Sequence, residues 1–299
     1  MPGIQTRRSC RLVAVSLLAA LTAACSGQQL VNTLAPAGGY TRHADQAYGD
    51  HPRQRLDVYE PDSETRDKPV VVFFYGGRWS SGERAGFKFV AQALTSRGYV
   101  AMVPDYRLYP EVRFPHFVED GALATAWARD HASDYGGDPA RLFLMGHSAG
   151  AHIAAMLATD ERYLRAAGGS PDWLAGMIGM AGPYEFLPIT AADLKDTFGP
   201  EDTWPASQPV NFVDGNEPPM LLMHGADDVT VHAEDSEILA DRVNAAGGQA
   251  VLELYPGIGH IRLIGNLALP LRWFAPQLDR IAAFVDETTA TVGSAPETR

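Results

Sequence analysis

An α/β fold, with a mostly parallel central sheet and helices on both faces, is what this sequence predicts. Two observations carry it: short β-branched or aromatic runs alternate with stretches of helical period, and the run Val70–Tyr75 is apolar without a break, as in a strand covered on both sides. A third sharpens it: Gly146-His147-Ser148-Ala149-Gly150 sits between one such strand and a small-residue helix. Alternation of this kind closes into parallel sheets with right-handed crossovers.

Arg7, Arg8 and Arg11 precede an apolar run, Leu12–Ala24, too short for a comfortable membrane span. Residues 1–24 read as a signal peptide. Small residues before Cys25 resemble a lipobox, with Cys25 as the lipidated first residue of an exported, envelope-anchored protein. Ser26 after it favours the outer membrane. Residues 25–45 read as a tether, 46–288 as the domain and 289–299 as a tail.

Within the domain, Arg55–Tyr59 alternates like an edge strand. Phe87–Arg97 is a helix stopped by Gly98, and Tyr99–Val103 is the next strand. Phe117–Ala132 is a helix, Arg141–Met145 a strand and Ala149–Thr159 a helix. Strands follow at Ala175–Ala181, Met220–Met223 and Ala250–Leu254, with helices at Glu234–Ala246 and Leu267–Val285. The Pro- and Asp-rich stretch 182–217 interrupts the alternation and reads as a lid-like insertion.

Composition narrows the function. There are 24 basic and 36 acidic residues, and removal of 1–24 takes three arginines and no acid, leaving 21 against 36. So acidic a chain, with no basic run in its body, argues against nucleic acid. Cys10 and Cys25 are the only cysteines, so a domain without its signal has no internal disulfide and no thiol nucleophile.

Gly146–Gly150 therefore carries the chemistry. A serine on a sharp strand-to-helix turn is the arrangement of a nucleophile elbow. Ser148 needs a base, and His260 is the only histidine after the last strand. Asp227 and Asp228, in the loop after Met220–Met223, both offer an orienting carboxylate. The N–H groups of Gly76, Gly77 and Ala149 are the candidate oxyanion donors. Trp79 is expected to wall the acyl pocket, with His147, Tyr184 and Phe186 beside it. His147 and His152 also read as structural, His224 as a turn residue, and Arg78 as solvent-exposed.

Four segments carry a resemblance: Tyr75-Gly-Gly-Arg-Trp79 with Gly82; Asp105-Tyr-Arg-Leu-Tyr-Pro-Glu111 with Phe114-Pro115 and Asp120; Gly136-Gly-Asp-Pro-Ala-Arg141; and the Asp228 and His260 loops. The chain resembles the α/β-hydrolase esterases, in the branch of hormone-sensitive-lipase-like, feruloyl-esterase-like and kynurenine-formamidase-like enzymes. That resemblance implies a Ser148–His260–Asp228 triad hydrolysing small acyl or aryl esters with no metal or organic cofactor. It implies that Asp105 and Arg107 fix the loop beneath the site by ion pairing, and that Asp138-Pro139 shapes the turn into the elbow strand. Tyr75 stands where the family usually has His, and Arg78 where lipases have a third glycine. An amide hydrolase and a non-catalytic binding lipoprotein are the rival functions.

Overall fold

The computed structural model describes Gly27 and residues 29–292; the signal peptide and Cys25 lie outside the described residues. Eight strands form one sheet: β1 (Tyr40–Ala47), β2 (Arg55–Pro61), β3 (Lys68–Phe74), β4 (Val100–Pro104), β5 (Gly137–His147), β6 (Leu174–Met180), β7 (Met220–Gly225) and β8 (Ala250–Tyr255). Their order is β1-β2-β4-β3-β5-β6-β7-β8. The β1–β2 and β2–β4 pairs are antiparallel, and every pair from β4 onward is parallel.

Helices cover both faces because side chains alternate along a strand. In β3, Phe73 packs against Phe87 at a ring separation of 5.7 Å. Its neighbour Phe74 points the other way, toward Gly121. Gly121 belongs to α2 (His116–His131), which packs with α3 (Ala149–Thr159) on β5 and β3. Phe87 leads into α1 (Lys88–Thr95), which lies on β4 and β2. Further helices are α4 (Glu161–Ala166), α5 (Ala192–Phe198), α6 (Glu234–Ala245), α7 (His260–Gly265) and α8 (Gln277–Val292), and a short helical stretch covers 29–34. Strands β3, β4, β6 and β7 are wholly buried, as is β5 from Leu142 onward, and α8 closes over β6 with Phe284 edge-on to Phe143.

Several boundaries differ from expectation. Tyr40–Ala47, whose first six residues fall in the expected tether, is an edge strand of the sheet, so Arg55–Pro61 lies one place inside it. The β1 side chains are mostly polar and exposed and give no apolar signal. The strand is held instead by ladder bonds and by Arg42, which donates to buried Asp57 at 2.6 Å. The helix expected over Leu267–Val285 is broken: Pro270 and Pro276 interrupt it, leaving only a 3₁₀ turn at Arg272–Phe274 before α8. Helix α8 continues to Val292, into the expected tail. The lid stretch 182–217 is ordered as α5 and two 3₁₀ segments, Glu201–Ser207 and Pro209–Phe212.

Candidate active site

Every candidate catalytic residue leaves the carboxyl edge of the parallel strands, where the crossovers create space. Ser148 follows β5 with φ 55° and ψ −124°, a strained conformation for a residue with a Cβ. Close approach on both sides explains the flanking glycines. A Cβ on Gly146 would lie 2.2 Å from the Gly150 carbonyl oxygen, and one on Gly150 would lie 2.0 Å from that of Phe74. The Ser148 N–H donates to the Met180 carbonyl at 2.9 Å, which ties the turn to β6. The side chain stands at the N-terminal end of α3, where the helix dipole favours negative charge.

His260 opens α7, and its Nδ1 lies 2.7 Å from Asp228 Oδ2. This leaves Nε2 for another partner. The other carboxylate oxygen, Oδ1, accepts from the Thr230 and Val231 N–H groups at 2.8 and 3.1 Å. Burial alone would raise the Asp228 pKa, but hydrogen bonds from His224 and His260 outweigh it and hold the carboxyl well below the usual carboxylate range. Asp227 is exposed and accepts instead from the Gly257 N–H, so it shapes the loop that presents His260.

His224 is not a simple turn residue. It is fully buried, with Nε2 donating to the Val231 carbonyl at 3.0 Å and lying 3.4 Å from Asp228 Oδ2. Its Nδ1 lies 2.7 Å from the Ser236 hydroxyl. Sequence reasoning missed this pair; a histidine inside the apolar run Met220–Gly225 was the available signal.

The Gly76–Gly77 loop lies against the elbow: a Cβ on Gly76 would be 2.9 Å from Ser148 Cβ. The Gly77 carbonyl accepts from the Ser80 and Ser81 N–H groups at 3.1 and 3.0 Å. Arg78 and Trp79 follow in the left-handed region. Tyr75 anchors the loop from below, its hydroxyl donating to Asp105 at 2.7 Å and its ring stacked on Phe87 and Tyr106. Asp105 and Arg107 do form ion pairs, but not with each other. Asp105 takes Arg84, and Arg107 takes buried Asp120 at 2.7 Å.

A family model, BD-FAE, matches residues 56–243, which span β2 through most of α6. The chain belongs to the BD-FAE family. It is 31% identical over 278 residues to a probable isoprenylcysteine alpha-carbonyl methylesterase of Arabidopsis thaliana, covering 84% of this chain and 56% of that protein. It is 33% identical over 236 residues to esterase LipC of Mycobacterium tuberculosis, covering 71% and 58%. The chain thus spans a little over half the length of these curated relatives. Among solved structures, a truncated carbohydrate esterase from gut microbiota superposes with a TM-score of 0.76 at 20% identity, over 85% of this chain and 99% of that one. An esterase of Pyrobaculum calidifontis superposes with a TM-score of 0.74 at 23% identity, over 90% and 92%. The fold is that of the α/β-hydrolases.

The expected pocket residues of this BD-FAE chain divide. Trp79 does not stand free as a wall: it is 4% exposed, with its ring 4.8–6.1 Å from those of Phe117, His152, Phe186 and Phe198. Tyr184 is wholly buried with its ring over Gly179 and Gly182, so it belongs to the core. Phe186 is partly buried and joins the Trp79 cluster. Hydrophobicity cannot distinguish a wall from a floor, which is why the sequence left both open. His147 sits between the Gly76 loop and His260. Its Nε2 donates to the His260 carbonyl at 3.1 Å, and burial together with the neighbouring His260 lowers its pKa to about 3, so the ring is neutral. His152 donates to the Ser207 carbonyl at 2.8 Å and braces the lid stretch. Arg78 is exposed, as expected, and is also paired: it holds Asp193 of α5 through two contacts, at 2.5 and 3.0 Å.

Proposed function

We propose that this chain is a serine carboxylesterase acting on small acyl or aryl esters, with Ser148 as nucleophile, His260 as general base and Asp228 as its orienting carboxylate. The observation that carries this reading is the 2.7 Å contact of His260 Nδ1 with a buried, low-pKa Asp228, together with the His147 bond that ties the His260 backbone to the strained elbow of Ser148. In this reading Ser148 Oγ attacks the ester carbonyl carbon while His260 Nε2 takes its proton. Asp228 stabilises the resulting imidazolium without itself becoming protonated. The N–H groups of Gly76, Gly77 and Ala149 receive the oxyanion, and losing one such donor costs about 3–4 kcal/mol in the barrier. His260 then protonates the leaving alcohol, and water repeats the cycle on the acyl-enzyme. Relatives named as methylesterases support a small leaving alcohol.

Hydrolysis of p-nitrophenyl esters of increasing acyl length tests this, with Ser148→Ala as control. The expected result is turnover that peaks at short acyl chains and falls by roughly 10⁴-fold or more in the variant. Turnover of formamides but not esters would move the assignment to amide hydrolysis. Absence of both in a folded chain would leave a binding role. We further propose export, with removal of residues 1–24 and lipidation of Cys25. Incorporation of labelled fatty acid into the wild-type chain, and none into Cys25→Ala, is the expected outcome.

A further inference from the structure

Four of the large apolar side chains left in water lie on two segments that meet at one groove. Leu30, Leu34, Leu271 and Trp273 are 59, 55, 40 and 80% exposed, and Leu34 and Trp273 line one groove with Leu269 and Pro270. Leu30 and Leu34 are one turn apart on the short helix over 29–34 and share a face. Asn32, on the opposite face, fixes that helix to the domain: its amide donates to the Ala85 carbonyl at 2.7 Å and accepts from the Phe89 N–H at 3.2 Å. The patch carries little charge of its own, because Arg272, between Leu271 and Trp273, turns back to Ser96 and Gln92. Among the described residues no helix is long and apolar enough to cross a membrane, so the patch would lie on a bilayer rather than span it.

We propose that this face docks on the surface of a lipid bilayer, with the Trp273 indole at the headgroup level and Leu30 and Leu34 beneath it. The chain preceding the patch selects this occupant. The apolar run Leu12–Ala24 ends six residues before Leu30, and Cys25 only five before it. Five residues, fully extended, reach about 18 Å. A lipid on Cys25 therefore leaves the domain too close to the membrane to stand clear of it, and the exposed leucines and tryptophan are the surface best suited to meet it. The inference rests on the lipid-anchor reading of Cys25, and its test separates the two.

The full chain is mixed with phosphatidylethanolamine–phosphatidylglycerol vesicles, with and without bromine on the acyl chains, and tryptophan emission is read on vesicle-bound protein. Bromine quenches only indoles within the bilayer. Trp273 is one of five tryptophans, so quenching of about a fifth of the emission is expected. It should vanish in Trp273→Phe and weaken in the Leu30→Gln, Leu34→Gln double variant. Bound protein without Trp273-dependent quenching would overturn docking and leave the anchor standing. Failure to bind vesicles at all would overturn both. A Trp273 already shielded from iodide without lipid would mean that the leader or a second copy covers the face, and would also overturn the proposal.

Discussion

Ser148 spends conformational strain to project its hydroxyl, and the residues around it exist to hold that pose. His147 is the nearest of them: it follows the elbow glycine and binds the backbone of the proposed base. His147→Phe keeps a planar ring but removes the N–H donor. A buried hydrogen bond of this kind is worth about 1 kcal/mol, so kcat on a short-chain p-nitrophenyl ester should fall roughly five- to tenfold with KM little changed. A fall in kcat below twofold would mean that the contact does not position His260. Asp228→Asn removes the charge but not the shape. A loss of about 10⁴ in kcat is expected from the wrong imidazole tautomer, measured with the same ester.

Between elements, two charge clusters have opposite weights. Arg84 joins β1, β2 and the loop after β4 by pairing with Asp45, Asp57 and Asp105, and the side chains of Asp57 and Asp105 are nearly or wholly buried. Removing one partner from a buried cluster strands charge in low dielectric. Arg84→Met should cost about 3–5 kcal/mol in urea unfolding, far more than its lost contacts with water-exposed Asp45 would suggest. The Arg78–Asp193 pair is half exposed on both sides. Exposed pairs are worth less than about 1 kcal/mol, so Asp193→Asn should leave urea stability almost unchanged. It joins the Gly76–Gly77 loop to α5, however, so if α5 acts as the proposed lid the same variant should alter KM across acyl-chain lengths. An unchanged KM series would show that the pair does not set lid position.

At the scale of the whole molecule, acid stability is set by groups buried in the wrong charge state. Burial lowers the His147 and His152 pKa values from 6.5 to about 3 and about 4. Between those values and 6.5 the unfolded chain binds two protons that the folded chain refuses, so stability falls as pH drops from 7 toward 4. Asp235 acts oppositely. Burial raises its carboxyl from 3.8 to about 6, so the folded state holds a proton in that window and acidification returns part of the loss. Two histidines outweigh one carboxyl, and each histidine contributes on the order of 3 kcal/mol. Tm should therefore decline from pH 7 to 4.5, and His152→Gln should flatten that slope. A Tm that rises over this range would refute the assignment.

How much of this was legible depended on whether the signal was local. Strand–helix alternation, the elbow at Gly146–Gly150 and the order Ser148, Asp228, His260 could be read directly, because period and turn chemistry act within a few residues. The breaks at Pro270 and Pro276 were missed, because the apolar period of 267–285 masked them. Strand β1 could not be read, since a polar edge strand is made by its partner's hydrogen bonds. Nor could the role of His224, the burial of Tyr184 or the pairing of Arg78 with Asp193, 115 positions away. The fold class and the elbow around Ser148 were written in the sequence, because apolar pattern and a strand–turn–helix motif act within short spans. Only the tertiary structure decided which charges pair, which rings are floor rather than wall, and which apolar residues stay in water, because each depends on groups that meet only after the chain has folded.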